Sequence, residues 1–341
     1  MKIAVVGLGA VGGLIAGRLA RAGCAVSALA RGATLQAVQR DGLQVRMDGT
    51  AWQAPIAASA DPRSLGPQDL VVLALKGPAL IEVAPTLAPL IGAHTIVLPA
   101  MNGVPWWFLG AGAEGSEHAG SPGLDAPLAS VDPHATIATA LPFEQVLGCV
   151  VHLSCSSPAP GVVQHGFGNR LIVGEPRGGA SARTDSVCAA LANAGFTAEP
   201  STDIRADIWY KLWGNMTTNP ISALTGATTD RILDDPDVHA FMLRAMAEAA
   251  AVGARIGCPI AQSGEQRMAV TRQLGSFKTS MLQDALAGRP LELDALVAVV
   301  AEIGTRVGVA TPNIGALLGL TRLMARERGL YPRAEASAAH A

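Results

Sequence analysis

The first spacing that could do chemistry is at the beginning of the chain, where Gly7-Leu8-Gly9-Ala10-Val11-Gly12 forms a GxGxxG motif. The first glycine permits a tight turn from strand to helix, the second lets the backbone approach a pyrophosphate, and the third allows close helix–strand packing. The anion would lie at a helix N-terminus, where free N–H groups and the helix dipole favour negative charge. Because the motif follows an apolar run and opens a helical one, it predicts dinucleotide binding; a glycine-rich turn without a ligand is the alternative.

The choice of dinucleotide is indicated by Arg31, which follows the next apolar run and precedes Gly32. An NAD-dependent enzyme usually carries Asp or Glu at this place to hold the ribose hydroxyls, and no acid is near Arg31 in the sequence. A guanidinium suits a 2′-phosphate because it forms charge-assisted and often bidentate hydrogen bonds. The sequence therefore predicts NADP(H) over NAD(H), and an ordinary surface arginine is the alternative.

Two further polar residues follow apolar runs of this half. Lys76 ends the run Leu73-Ala74-Leu75-Lys76, and the pair Asn102-Gly103 follows the run Thr95–Leu98. The carboxyl ends of parallel strands face the ligand crevice, so the charge of Lys76 can reach a cofactor phosphate or a substrate carboxylate. The amide of Asn102 can bind the substrate or the nicotinamide region. A solvated lysine and a simple Asn-Gly turn are the alternatives.

A row of polar residues marks the second half of the chain. Lys211, Asn215 and Asn219 are spaced four residues apart, which places them on one face of a helix. Aromatic and apolar neighbours flank the row, so we expect it to lie in a cleft. Asparagine is a poor helix former, so two on one face favour a functional interpretation over a solvated helix face. Pro220 follows directly and is expected to end or kink the helix.

Two segments nearer the C-terminus could complete a site. The run Lys278-Thr279-Ser280-Met281-Leu282-Gln283-Asp284 contains Ser280, whose hydroxyl could bind a carboxylate. The run Leu291-Glu292-Leu293-Asp294 contains Glu292, which could pair with Lys211 or accept a hydrogen bond from a substrate hydroxyl. A helix cap and solvated acids are the alternative for both segments.

The elements that position these residues change in character along the chain. Lys2–Val6 and Cys24–Ala30 are apolar runs on either side of the helical segment Val11–Ala22, which makes a βαβ unit. Later runs repeat the alternation, so we predict a Rossmann-type, doubly wound parallel sheet. Two extended runs between Cys149 and Val173 predict a small antiparallel hairpin added to that sheet.

From Thr202 onward only helical spacing is found, with candidate helices at Val238–Ile256, Gln262–Leu274 and Glu292–Val307. We therefore predict an α/β fold with an all-helical C-terminal domain. The boundary is placed near Glu199–Asp203, which gives domains at 1–201 and 202–330. The segment 104–132, rich in small residues from Gly110 to Asp132, is interpreted as a surface insertion, and 331–341 as a disordered tail.

Composition excludes several classes of protein. The 341 residues carry a net charge of −2 and no Lys/Arg-rich run, so neither a nucleic-acid nor a membrane partner is expected. The five cysteines are scattered without a CxxC pair, which suits a reducing cytoplasm and argues against a metal site. The longest weakly charged stretch, 91–113, is interrupted by Pro and Gly and does not read as a membrane span. The composition neither indicates nor excludes a homodimer.

Taken together, these motifs resemble the ketopantoate reductases. The GxGxxG turn, the strand-end lysine, the Asn-Gly pair, the K-x-x-x-N-x-x-x-N-P helix, the S-M-L-Q-D run and the L-E-L-D segment occur in that order from Met1 to about Arg328. The resemblance implies that Lys211 is the catalytic acid and that Asn215, Asn219 and Ser280 bind the substrate. It also implies that Glu292 contacts the substrate and helps to order the cofactor site, and that Asn102 lies near the nicotinamide.

The resemblance implies a reaction as well. Hydride would pass to the C2 carbonyl of a 2-oxo acid, with 2-dehydropantoate as the first candidate, while Lys211 donates a proton to the oxygen in an interdomain cleft. Phe277 and Thr229 stand where some members of the family carry Asn, and Ala79 replaces a polar residue. These departures touch the substrate pocket or its rim, so a different branched oxo or hydroxy acid is an alternative substrate. A non-catalytic NADP(H)-binding regulator is the third interpretation.

Overall fold

The computed structural model describes residues 1–110 and 126–332. Residues 111–125 of the predicted surface insertion and the tail from residue 333 lie outside the described residues. The described ends of the insertion are not on the surface as predicted, because their apolar side chains pack into the interior: Val104, Phe108 and Leu128 are at most 1% exposed. The predicted disordered tail was also placed too early, since the hydroxyl of Tyr331 donates to Asp294. The chain divides into two compact units, an N-terminal unit at Met1–Ile208 and a C-terminal unit at Trp209–Ala341. The division falls inside a long helix, a few residues beyond the predicted boundary near Glu199–Asp203.

A five-stranded parallel sheet forms one half of the N-terminal unit. Its strands stand in the order β5-β2-β1-β6-β7 and comprise β1 (Lys2–Val6), β2 (Ala25–Leu29), β5 (Ala57–Ser59), β6 (Gln68–Leu73) and β7 (Ile91–Pro99). The helices of this half are α1 (Ala10–Arg21), α2 (Gly32–Asp41) and α3 (Gly77–Val83). The strand order confirms the predicted Rossmann-type sheet.

The central strand shows why the sequence folds in this way. Ile3, Ala4 and Val5 are fully buried and Val6 is 1% exposed, so β1 is covered on both faces. A strand buried on both faces reads as a continuous apolar run rather than an alternating one. The runs at β2 and β6 pair with β1 in parallel register on either side, as Ala4 does with Ser27 and Val71.

A second, mixed sheet was only partly predicted. The two extended runs form β8 (Gly148–Ala159) and β9 (Val162–Gly174), which pair antiparallel as expected. They do not simply extend the parallel sheet as a small hairpin. They belong instead to a second sheet with β3 (Leu43–Met47), β4 (Thr50–Ala54) and β10 (Thr197–Ser201), in the order β10-β9-β3-β4, with β8 on β9.

The missed β3–β4 hairpin had a readable signal. Its two-residue turn is Asp48-Gly49, and both residues have positive φ, at 50° and 72°. An Asp-Gly pair supplies this backbone conformation for tight hairpin turns. Among the described residues, the N-terminal unit also has the short α-helix α4 (Thr136–Ala140) and α5 (Ala182–Asn193), which is capped by the Ser181 hydroxyl.

Helix α1 approaches the second sheet closely through two glycines. A Cβ on Gly13 would lie 2.5 Å from Val163 Cγ2 of β9, and a Cβ on Gly17 would lie against Val45 Cγ2 of β3. A larger residue at either place would force these strands away from the helix. The GxGxxG turn lies at the N-terminus of the same helix, so one rigid element joins the turn to the second sheet.

The C-terminal unit is helical throughout its described residues, as predicted. It comprises most of α6 (Ile204–Thr225) and then α7 (Thr229–Asp234), α8 (Pro236–Arg255), α9 (Gly264–Arg272), α10 (Ser280–Leu286), a π-helix at Asp294–Ala298, α11 (Val299–Arg306) and α12 (Pro312–Glu327). The three predicted helices correspond to α8, α9 and the π-helix with α11. The helix α12 and the short α7 and α10 were missed.

Pro220 was expected to end or kink α6, and the helix does not end there. The helix continues to Thr225 with the proline inside it. Proline costs one backbone hydrogen bond in a helix interior. Met216, Ile221 and Ala223 around it are at most 4% exposed, and this burial offsets the lost bond.

Across the described residues, no helix has the length and apolar character needed to span a membrane.

The close contact of α1 with the second sheet can be tested by stability measurements. We expect Gly17→Ala to lower the free energy of unfolding by about 1–2 kcal/mol, because overpacking outweighs the gain in helix propensity. Gly319→Ala in α12 is the control, since its Cβ would meet nothing within 4 Å. That change should raise stability by roughly 0.5–1 kcal/mol. Urea unfolding of the full chain measures both, and unaltered stability of Gly17→Ala would contradict the packing argument.

Candidate functional site

The glycine turn after β1 has the geometry of an anion cradle. Gly7 has a φ of +96°, and a Cβ there would lie 2.5 Å from Leu75 Cδ2 and 2.8 Å from Ala74 O. A Cβ on Gly12 would collide with the carbonyl oxygen of Gly7. Both positions therefore require glycine, as the motif predicts.

The middle glycine has a different role from the other two. Gly9 is exposed, and a Cβ built on it would meet nothing within 4 Å, so its backbone borders open space. Gly9 caps α1, and the first turn of that helix contains no acidic residue. The N–H groups of the first helical turn have no acceptor within the helix and point to this space. The turn therefore fits a diphosphate group.

Arg31 lies at the end of β2, where the sequence places it, but it has an acidic partner that sequence reasoning missed. Its Nη1 donates to Glu82 Oε1 at 2.7 Å and its Nη2 to Oε2 at 3.3 Å. Glu82 lies on α3, 51 residues away along the chain. The hydrogen bond with Arg31 lowers the pKa of Glu82, and the same bond raises the pKa of Arg31.

Lys76 and Asn102 stand at the same edge of the sheet as the glycine turn. Lys76 is the residue before α3, just beyond the end of β6, and Asn102 follows the end of β7. Both are half-buried. Because all five strands are parallel, their carboxyl ends share one edge. The N-terminal unit thus brings the turn, Arg31, Lys76 and Asn102 to that edge.

The polar row of α6 lies in the C-terminal unit. Lys211 and Asn215 are half-exposed, whereas Asn219 is only 6% exposed. A solvated helix face does not bury an asparagine to this degree, so the alternative of a solvated face does not hold for Asn219. The row is held by Trp209 and Trp213, whose indole N–H groups donate to the carbonyls of Ala249 and Met246 of α8 at 3.2 and 2.8 Å.

Ser280 and Glu292 occupy different kinds of position in the same unit. Ser280 is the first residue of α10 and is exposed, while the capping role belongs to Thr279, whose hydroxyl accepts from the N–H of Leu282 at 3.1 Å. Glu292 is half-buried and precedes the π-helix. The helix cap is therefore Thr279 and not Ser280.

The segment that carries Glu292 is fastened at both sides by groups that sequence reasoning did not connect. The N–H of Leu291 donates to the carbonyl of Leu330 at 2.9 Å. The carboxylate of Asp294 accepts from Arg322 Nη2 at 2.8 Å and from the Tyr331 hydroxyl at 2.6 Å. Burial and the hydrogen bond to Asp294 raise the pKa of Tyr331.

One of the departures from the family pattern has a structural role. Thr229 is 1% exposed, and its hydroxyl donates to the carbonyl of Gly275 at 2.6 Å and accepts from the N–H of Phe277 at 3.3 Å. Thr229 therefore fixes the loop that carries Phe277. Phe277 and Ala79 are half-buried.

A Rossmann-type sheet with a glycine turn at its ligand edge, followed by a helical unit, defines a class of oxidoreductase. Two family models match the chain. The model "Ketopantoate reductase PanE/ApbA" matches residues 3–106, and "Ketopantoate reductase PanE/ApbA C terminal" matches residues 203–325. The chain belongs to the ketopantoate reductase family, whose members are oxidoreductases that act on CH–OH groups.

Individual relatives agree with this assignment. A 2-dehydropantoate 2-reductase of Mesorhizobium japonicum is 42% identical over 97% of this chain and 100% of its own length. One from Halobacterium salinarum is 28% identical over 96% of this chain and 100% of its own length. A crystal structure from Ralstonia solanacearum MolK2, attributed to the ketopantoate reductases, is 58% identical with a TM-score of 0.91 and covers 97% of this chain and 99% of its own.

The anchoring of the Glu292 segment generates a prediction. Tyr331→Phe removes one hydrogen bond to the partly buried Asp294 and should lower the free energy of unfolding by about 1 kcal/mol. The chain has only one other tyrosine, Tyr210, whose hydroxyl donates to Gln262 at an exposed site. Tyr210→Phe is therefore the control, with an expected loss below about 0.5 kcal/mol. Equal effects of the two substitutions in urea unfolding would contradict an anchoring role for Tyr331.

Proposed function

We propose that this protein reduces a small 2-oxo acid to the 2-hydroxy acid with NADPH, and that its substrate is 2-dehydropantoate. The observation that carries the proposal is the row Lys211, Asn215 and Asn219 on α6, with Asn219 almost fully buried, in a member of the ketopantoate reductase family. Two relatives that cover 97% and 96% of the chain are named 2-dehydropantoate 2-reductases.

Cofactor binding is assigned to the N-terminal unit. The backbone from Gly7 to Gly12 would hold the diphosphate at the N-terminus of α1, and Arg31 would bind the 2′-phosphate. Lys76 adds a positive charge at the same edge of the sheet, and Asn102 is assigned to the nicotinamide end. The bound nicotinamide supplies the hydride for the reduction.

Substrate binding and proton transfer are assigned to the C-terminal unit. The Lys211 ammonium donates a proton to the carbonyl oxygen as negative charge develops there. The amides of Asn215 and Asn219 and the hydroxyl of Ser280 orient the substrate through hydrogen bonds. Glu292 contacts the substrate and favours the charged form of Lys211, and the anchors of its segment fix its position.

The cofactor assignment is tested by Arg31→Ala. Loss of a charge-assisted contact to the 2′-phosphate should raise the KM for NADPH by about tenfold or more and leave the KM for NADH nearly unchanged. Steady-state kinetics with both cofactors measure the difference. Equal use of NADPH and NADH by the wild type would remove the proposed preference.

The catalytic assignment is tested by Lys211→Ala. Turnover should fall by roughly 10²-fold or more, which is the usual loss when a general acid is removed. Binding of NADPH should be retained, because the glycine turn and Arg31 belong to the other unit. Lys2→Ala is the control, since Lys2 is exposed at the opposite end of β1. Turnover of Lys211→Ala close to that of the wild type would refute the role of the lysine.

A second candidate substrate class is favoured by the departures at Phe277 and Ala79. A phenyl ring or a methyl group in place of a polar side chain suits a more apolar oxo acid than 2-dehydropantoate. NADPH consumption with a panel of branched 2-oxo acids separates the two candidates by their kcat/KM values. Tight NADPH binding with no turnover of any oxo acid would instead indicate a regulator.

A further inference from the structure

Arg31, the residue proposed to bind the 2′-phosphate of NADPH, forms an ion pair with Glu82. Their closest atoms, Arg31 Nη1 and Glu82 Oε1, are 2.7 Å apart, and the side chains are 67% and 62% exposed. The contact is bidentate, so the carboxylate occupies the planar fork of the guanidinium. Because both groups face solvent, an anionic group that arrives from solution can reach the same fork.

The topology of the sheet places this ion pair beside the glycine turn. Strand β1 lies between β2 and β6 and is parallel to both. Arg31 follows β2, Glu82 lies on the helix that follows β6, and the turn Gly7–Gly12 follows β1. The ion pair therefore joins the two chain segments that flank the turn at the ligand edge of the sheet.

Two anionic groups cannot both form bidentate hydrogen bonds with one guanidinium group without a cost in binding free energy. A 2′-phosphate and a carboxylate both seek the paired N–H groups of Arg31, and they repel each other when both are close. The contact with Arg31 lowers the pKa of Glu82, so this carboxylate is charged throughout the neutral range. NADH has no 2′-phosphate and does not compete for the fork.

We propose that Glu82 is a specificity-determining residue, which occupies Arg31 in the cofactor-free protein and competes with the 2′-phosphate of NADPH. Glu82 thereby weakens NADPH binding and narrows the preference for NADPH over NADH. The inference rests on the proposed function, in which Arg31 binds that phosphate. It differs from the view that Glu82 orients Arg31 for the phosphate, which predicts the opposite effect of removing the carboxylate.

The test is the affinity of the full-length protein for each cofactor, measured by calorimetric titration without substrate. Glu82→Gln should lower the Kd for NADPH by about two- to fivefold, the range expected when an exposed ion pair no longer has to be broken. The Kd for NADH should change by less than about twofold, because NADH does not need the fork. Glu144→Gln, at another exposed glutamate of the same unit, controls for net charge and should change neither Kd.

A double substitution shows whether the effect passes through Arg31. In an Arg31→Ala background, Glu82→Gln should tighten NADPH clearly less than it does in the presence of Arg31, because only the repulsion between carboxylate and phosphate is then relieved. An unchanged or raised Kd for NADPH in the single Glu82→Gln variant overturns the inference, since it shows either no competition or an orienting role.

The same titrations separate this inference from the proposed function. Should the wild type bind NADPH and NADH equally, or Arg31→Ala leave NADPH affinity intact, the proposed cofactor preference fails and the inference fails with it. Should the preference hold while Glu82→Gln does not tighten NADPH, the inference alone fails.

Discussion

The N-terminal unit depends on the close packing of α1. The helix contacts the backbone of the glycine turn and, further along, side chains of the second sheet. At the beginning of the helix, Gly12 lies against the carbonyl oxygen of Gly7, which brings the helix N-terminus directly over the end of β1. Further along, Gly13 and Gly17 face β9 and β3. One element thus aims unpaired N–H groups at the ligand edge and holds the second sheet in place.

The C-terminal unit holds the polar row on a helix whose tryptophans are buried against a neighbouring helix. Trp209 and Trp213 are buried, and their indole N–H groups donate to backbone carbonyls of α8. These hydrogen bonds fix the rotation of α6 about its own axis. The lysine and asparagines at every fourth position then share a defined direction. Rigid elements hold side chains more accurately than loops do, so the direction of this row is well defined.

Much of this architecture could be predicted because burial leaves a direct trace in the sequence. The apolar runs at β1 and β6 reflect coverage on both faces, and the GxGxxG spacing reflects close backbone contacts. The strands β3 and β4 were missed because their exposed positions carry mixed polar residues, although the Asp48-Gly49 turn could have revealed them.

What could not be predicted depends on contacts between distant residues. Glu82 pairs with Arg31 across 51 residues, and Tyr331 binds Asp294 across 37, so no local pattern indicates either contact. The continuation of α6 through Pro220 depends on burial of the residues beyond it, which outweighs the local rule. The burial of Asn219 is likewise a property of the tertiary structure and not of the helix alone.

The π-helix at Asp294–Ala298 has a consequence for the evolution of this site. A π-turn accommodates one more residue than an α-turn, so loss of a single residue there would restore a regular α-helix. Because each residue of an α-helix turns by about 100°, that deletion would rotate the preceding segment and carry Glu292 around the axis of α11. One codon deletion would thus re-aim this carboxylate, and the anchors of Leu291 and Asp294 oppose that rotation.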